Sequence, residues 1–145
     1  MSTKWGMILL AVAALVAFST AVAHLSCIYF GPQCFSAQMA PPAIVESAQN
    51  GTLFAPVATI VVAMVFIIFG IYALSGARLI RKLPLLSVGV YAIAFLCIVR
   101  GLLPMQLWLR HPEKVSNLVL FVGIVWLTVG LLYLFGYRAV NAKSI

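Results

Sequence analysis

Acidic side chains are almost missing from this chain: Glu46 and Glu113 are the two carboxylates among 145 residues, against nine Lys and Arg. Charged residues of both signs make up 8% of the sequence, while hydrophobic residues make up 65%. A soluble domain covers its surface with interspersed charges, and so few of them cannot cover one. The scarcity of charge excludes an ordinary soluble domain and indicates a chain whose surface faces lipid.

Four apolar stretches contain most of the hydrophobic residues. They run over residues 5–25, 54–75, 85–103 and 118–137. At 1.5 Å per residue, about 20 residues cross a hydrocarbon core of about 30 Å. The connections leave no length for a soluble domain. The sequence therefore predicts one all-α integral membrane domain over residues 1–145, a four-transmembrane-helix antiparallel bundle.

Positive charge is missing from the first connection, since no Lys or Arg occurs between Lys4 and Arg78. Six basic residues fall on the other side of the predicted bundle: Lys4, Arg78, Arg81, Lys82, Arg138 and Lys143. Cytoplasmic connections collect Lys and Arg, so we expect cytoplasmic termini and an external loop over residues 26–53. The net charge of +7 reflects this bias, and without a basic stripe carrying exposed aromatics we expect no nucleic-acid partner.

Proline and glycine predict the helix ends. A short external helix over residues 43–49 follows Pro41-Pro42 and precedes Asn50-Gly51, and Thr52 is the predicted N-cap of the second long helix. Gly101 with Pro104 should end the third long helix.

The fourth long helix has its own start signal and a predicted packing face. Ser116 or Asn117 should begin this helix, because short polar side chains favour the N-cap position. Gly123 and Gly130 lie seven residues apart on one of its faces. Small residues on one face let helices approach closely in lipid, so we expect another helix to pack there.

Cys27 and Cys34 are the two cysteines of the external loop. A structural disulfide is the first interpretation, because a non-cytoplasmic loop lies in an oxidising compartment. Free thiols, or a redox or metal pair, stay open as alternatives. Their spacing is neither C-x-x-C nor a standard zinc pattern, and adding His24 and Met39 gives only an unpatterned soft-metal set. We therefore predict no metal and no cofactor.

The end of the first stretch leaves a second interpretation open. Ala21-Val22-Ala23 has the small-residue pattern of a signal-peptidase site after an apolar run. The run is longer than a usual signal-peptide core, so we predict a retained helix. Cleavage would instead make His24 the amino terminus.

Arg100 is the charged residue that most needs an explanation, because it lies inside the third apolar stretch. A charge at that depth is costly unless its side chain reaches the headgroups or finds a partner. The partner could be Glu46, the one acid of the external loop, or an anionic ligand. We predict a polar ligand-binding site near the outer leaflet, lined by Arg100, Glu46, His24 and Gln106.

These residues favour non-catalytic binding of a lipid or small amphiphile, or an accessory subunit that works through the same site. One alternative is a membrane enzyme that uses His24 and Glu46 for acid–base chemistry while Arg100 holds an anionic group. Another is a small transporter, which the lack of an acid inside any span disfavours. The expected partners are membrane lipids, and a membrane-protein partner or a homo-oligomer is compatible with the small-residue helix faces.

Several positions resemble a family of small uncharacterised bacterial four-helix inner-membrane proteins. They are His24, Phe54-Ala55-Pro56-Val57-Ala58-Thr59, Leu83-Pro84 and Arg100-Gly101. The resemblance covers residues 23–101. It implies a four-helix bundle in a bacterial inner membrane, and it implies no activity.

Overall fold

The computed structural model describes residues 3–142, which form six α-helices joined by turns, so Lys143 lies outside the described residues. The helices are α1 (Thr3–Phe30), α2 (Pro32–Ala37), α3 (Pro42–Gln49), α4 (Phe54–Gly76), α5 (Leu86–Arg110) and α6 (Asn117–Asn141), with a short 3-10 helix (Pro112–Lys114) before α6. By length and composition, α1, α4, α5 and α6 can each cross a membrane. The predicted all-α fold, with four membrane-length helices and a short helix in the first connection, is confirmed.

Two long helices continue five or more residues past their predicted ends. Helix α1 reaches Phe30, where Gly31 breaks it with a φ of 80°, a left-handed conformation that glycine adopts without strain. Helix α5 passes through Gly101 and Pro104 and ends at Arg110, so the predicted end at 103 was wrong. Proline within a membrane helix is tolerated because packing against neighbouring helices compensates for the lost backbone bond.

The chain divides into two compact units. The loop unit comprises Leu15–Gly70 and contains α2 and α3. Its core is an apolar cluster around Cys27, Phe35 and Ala55, against which Ile44 and Val45 of α3 pack. The short helix α3 is therefore held by an apolar face and is part of a folded unit.

The terminal unit comprises Met1–Ala14 and Ile71–Ile145. Its main contact is between α5 and α6, which run antiparallel. A Cβ atom built on Gly101 would lie 2.5 Å from the Leu127 backbone nitrogen, and one on Gly130 would lie 2.9 Å from the Ala94 carbonyl oxygen. Side chains are excluded at both points, and Gly123 also faces α5 at Pro104. The predicted packing face of Gly123 and Gly130 is confirmed.

Candidate functional site

The predicted disulfide between Cys27 and Cys34 is present, with their Cα atoms 5.1 Å apart. Cys27 is fully buried at the end of α1, and Cys34 lies in α2. Gln38 closes the same turn, because its side-chain amide donates to the Ala23 carbonyl at 2.7 Å. The disulfide therefore lies within the packed core of the loop unit, which supports a structural role.

His24 bonds to its own helix. Its Nδ1 lies 2.9 Å from the Thr20 carbonyl oxygen, and its ring centroid lies 5.2 Å from that of Phe66. Because a carbonyl only accepts, we assign the hydrogen to Nδ1, which leaves Nε2 as the acceptor. Half-buried beside an aromatic ring, His24 has the surroundings of a helix-end histidine.

Glu46 is exposed on α3, and no hydrogen bond or ion pair joins it to His24 within the loop unit. The predicted acid–base pair is therefore not assembled in this structure. Among residues 3–142, no group of three or more His, Cys, Asp and Glu side chains could hold a metal ion. Arg100 belongs to the terminal unit, so its pairing with Glu46 stays a prediction.

Arg100 and Gln106, by contrast, line one cavity of about 440 Å³ on α5 and the start of α6, named here the Arg100 groove. The lining residues are Arg100, Leu103, Pro104, Gln106, Leu107 and Arg110 of α5 and Val119 of α6. Three of them are polar or charged and four are apolar. A cavity of this size with a few polar groups over an apolar floor is typical of small-ligand sites.

The helical register aligns the two arginines of the Arg100 groove. Arg100, Leu103, Leu107 and Arg110 follow one another at i, i+3, i+7 and i+10, which is one face of a helix. At 1.5 Å per residue, the Cα atoms of Arg100 and Arg110 are about 15 Å apart along the axis. The two leucines fill the strip between the two cations, so an apolar surface connects them.

Among the described residues of the terminal unit, Arg100 has no carboxylate partner. The one acid of that unit is Glu113, and its carboxylate lies 3.5 Å from His111 Nδ1 instead. The side chain of Arg100 is exposed on its helix. Arg100 therefore places an exposed guanidinium inside an apolar helix, without a carboxylate partner among the described residues of its unit.

Pro104, which also lines the Arg100 groove, changes the backbone hydrogen bonding of Arg100. A proline has no N–H, so the usual bond from residue 104 to the carbonyl of Arg100 cannot form. The Arg100 carbonyl therefore lacks the i+4 donor that it would have in a regular helix.

Arg110 is the functional residue that sequence reasoning missed. With the third helix predicted to end at 103, Arg110 lies outside that helix, in the connection that also contains His111 and Glu113. In the structure it occupies the last turn of α5, where a cation interacts favourably with the helix dipole. Its spacing of ten residues from Arg100 was the signal available, but that signal depends on an unbroken helix.

A second cavity, of about 630 Å³, lies at the other end of α5 and is named here the Arg78 cavity. Its lining residues are Ser75, Gly76, Arg78, Ile80, Lys82, Leu86, Ser87, Tyr137 and Asn141. The sequence analysis counts Arg78 and Lys82 among the cytoplasmic charges and predicts no site there. The polar residues of α4, α5 and α6 meet only once the turn between α4 and α5 is folded.

Comparison with known proteins adds no assignment to these residues. No family model, no curated protein and no solved structure matches the chain. The resemblance to a family of small bacterial four-helix proteins stays a prediction. The function therefore has to be argued from the geometry of the two cavities and from the charges that line them.

Proposed function

We propose that this integral membrane protein binds an anionic amphiphile, such as an acidic phospholipid, in the Arg100 groove, without catalysing a reaction. One observation carries the proposal: an exposed Arg100 without a carboxylate partner in its unit shares a cavity with Gln106 and Arg110. A charge inside an apolar helix needs a counter-charge, and the lipid phase supplies one in its anionic headgroups.

The polar side of the Arg100 groove suits a phosphate or carboxylate. A guanidinium presents several N–H donors in a rigid fork that matches two anionic oxygens at once. Gln106 adds an amide that can both donate to a headgroup and accept from one. These groups favour an anionic headgroup that carries a hydroxyl over a zwitterionic one.

The apolar side of the Arg100 groove suits an acyl chain. Leu103 and Leu107 form the strip between the two arginines, and Val119 of α6 completes it. Burial of hydrocarbon contributes about 25 cal/mol per Å², so even one chain segment on this strip adds to the affinity. A soluble anion could use the arginines but not this surface, which is why we propose an amphiphile.

Simple snorkelling of Arg100 is the alternative explanation. Its long side chain could reach the headgroup layer without any specific ligand. Snorkelling would not require Gln106 and Arg110 in the same cavity, nor would it discriminate between headgroups. Selectivity for one headgroup is therefore the property that separates the two explanations.

We also propose a bacterial inner-membrane location with both termini in the cytoplasm. Two features support this orientation: the surplus of Lys and Arg on the side of the termini, and the disulfide of Cys27 and Cys34 on the opposite side. The bacterial location rests on the family resemblance. In this orientation the Arg100 groove opens towards the outer leaflet.

A lipid titration tests the binding proposal through Arg100→Gln. We expect the wild type to bind phosphatidylglycerol more tightly than phosphatidylcholine, and the variant to lose most of this preference. A hydrogen bond to a charged group contributes about 1.5–3 kcal/mol, which corresponds to a ~10–100-fold loss of affinity. Native mass spectrometry of the detergent-solubilised protein measures the bound lipid at each concentration.

Lys114→Gln is the matched control for this titration. Lys114 is exposed at the same end of α5 but does not line the Arg100 groove, so its removal changes the net charge equally. The control should keep the wild-type affinity for phosphatidylglycerol. Equal losses in both variants, or equal binding of both lipids by the wild type, would contradict a specific site and favour snorkelling.

A further inference from the structure

The turn that joins α4 to α5 forms one side of the Arg78 cavity. The buried hydroxyl of Ser75 holds this turn in shape. Ser75 Oγ donates to the Arg81 carbonyl at 3.0 Å and accepts from the Leu83 N–H, also at 3.0 Å. The backbone of Lys82 lies between these two bonded residues and is therefore fixed at both sides. The backbone position of Lys82 is therefore fixed before a ligand binds, which is what a preorganised site requires.

Arg78 is fixed at the opposite side of the Arg78 cavity. Its backbone has a φ of 59°, and its guanidinium donates to the Val140 carbonyl of α6 at 3.3 Å. This bond uses one of several N–H donors of the guanidinium. The remaining donors are available to an anion, so Arg78 can cap α6 and bind a ligand at the same time.

Donors without charge complete the lining of the Arg78 cavity. Ser87 Oγ lies 2.7 Å from the Tyr137 hydroxyl, and Asn141 contributes an amide at the end of α6. Helix α5 starts here, and its N-cap residue Leu85 makes no side-chain cap bond. The uncapped first-turn N–H groups add positive potential to a cavity that already contains Arg78 and Lys82.

Among residues 3–142, no carboxylate lines the Arg78 cavity to neutralise its cations. The one acid of the terminal unit, Glu113, is bonded to His111 beyond the far end of α5. Helix α5 has 25 residues, so its two ends are about 37 Å apart. Arg78 and Lys82 therefore lie in a concave site that contains hydroxyl groups and, in the part of the chain that the structure describes, no carboxylate.

We propose that the Arg78 cavity binds a phosphate group through Arg78 and Lys82. Arginine supplies a planar fork and lysine a mobile point charge, and phosphate uses both. Ser87 and Asn141 can bond to substituents on the phosphate. The group can belong to a phospholipid of the leaflet at this end of α5 or to a soluble phosphate ester, since the chemistry of recognition is the same.

The test uses Lys82→Gln, with Arg81→Gln as its matched control. Both side chains are exposed in the same turn and carry the same charge, but only Lys82 lines the Arg78 cavity. The intact protein in detergent is titrated with phosphatidylglycerol in one arm and with glycerol phosphate in the other. Native mass spectrometry counts the bound molecules, and thermal unfolding confirms that each variant is folded.

We expect Lys82→Gln to weaken binding in at least one arm by about tenfold and Arg81→Gln to leave it unchanged. Loss in the phosphatidylglycerol arm alone identifies a lipid headgroup. Loss in the glycerol phosphate arm identifies a soluble ester. Binding in neither arm would overturn the proposal. Equal losses in Lys82→Gln and Arg81→Gln would also overturn it, because binding would then depend on the net charge of the turn and not on a site at Lys82.

The proposals for the Arg100 groove and for the Arg78 cavity can each be contradicted without affecting the other. If both proposals hold and the Arg78 cavity takes lipid, the wild type binds two molecules of phosphatidylglycerol tightly. In that case Arg100→Gln and Lys82→Gln each remove one of them. Retention of the Lys82-sensitive molecule in Arg100→Gln would show that the Arg78 cavity works without the Arg100 groove. Arg78→Gln serves as a second variant for the cavity, and its contact with Val140 makes the unfolding measurement essential.

Discussion

At the residue scale, the hydroxyl of Ser47 joins the short helix α3 to the start of α4. Ser47 is buried, its Oγ accepts from the Ala55 N–H at 2.9 Å, and it lies 2.6 Å from the Thr52 hydroxyl. The first N–H groups of a helix have no partner within the helix, so this bond satisfies one of them. A residue of α3 thus performs the role that the sequence assigned to Thr52.

Replacing Ser47 by alanine should therefore destabilise the loop unit. Loss of the bond to Ala55 leaves a buried N–H unsatisfied, and loss of a cap costs about 1–2 kcal/mol. Thermal unfolding in detergent, followed by circular dichroism, measures the change. Ser36→Ala is the control, since Ser36 is exposed on α2. Equal stabilities of the two variants would show that the cap contributes nothing.

Residue identity alone selected Arg100 and Gln106 as neighbours in one site, and the structure brings them together. The same reasoning could not predict that Ser47 caps the start of α4. A capping prediction examines residues next to the helix start, whereas Ser47 lies eight positions before Ala55 and reaches it through the fold of the turn. By contrast, Ser116 caps α6 locally, accepting from the Val119 N–H at 3.3 Å, and it is one of the two residues predicted to begin this helix.

At the element scale, the continuity of α5 determines what the Arg100 groove contains. Gly101 and Pro104 are stop signals in a sequence, but here Gly101 lies against the α6 backbone and Pro104 lies against Gly123. Because the contact with α6 supports the helix at this point, it continues to Arg110. The sequence identifies glycine and proline but not their packing partners, which is why the second arginine was missed.

A close contact of this kind predicts that Gly101→Ala destabilises the α5–α6 pair. The added Cβ would lie 2.5 Å from the Leu127 nitrogen, which is backbone and cannot move aside alone. Overpacking of this kind costs about 1–3 kcal/mol. The measurement is thermal unfolding of the variant in detergent. Leu102→Ala, at an exposed neighbouring position, is the control, and an equal or smaller loss for Gly101→Ala would contradict the predicted contact.

At the scale of the whole molecule, the four spans were predictable, the Arg100 groove was predictable only in part, and the Arg78 cavity was not predictable. Length and apolarity fix the number of spans, because the membrane sets a minimum length for any helix that crosses it. A cavity instead depends on residues far apart in the sequence, such as Ser75, Ser87 and Asn141 around the Arg78 cavity. Sequence patterns along one segment do not show which distant residues come together in the fold.

The proposed orientation has a direct test by labelling from outside the cell. In a Cys97→Ser background, Lys114→Cys should react with a membrane-impermeant maleimide on intact cells. Arg81→Cys should react only after permeabilisation, because we place its turn in the cytoplasm. Both positions are exposed, and Cys27 and Cys34 are bonded and unreactive. The reverse labelling pattern would contradict the proposed orientation.

The central claim, that the Arg100 groove holds an anionic amphiphile, is tested most directly on protein gently extracted from its own membrane without added lipid. Native mass spectrometry of wild type beside Arg100→Gln then weighs whatever each retains. We predict that the wild type retains one more molecule of an acidic amphiphile than the folded variant does. A wild type that retains nothing, or a variant that retains as many molecules as the wild type, would contradict the claim.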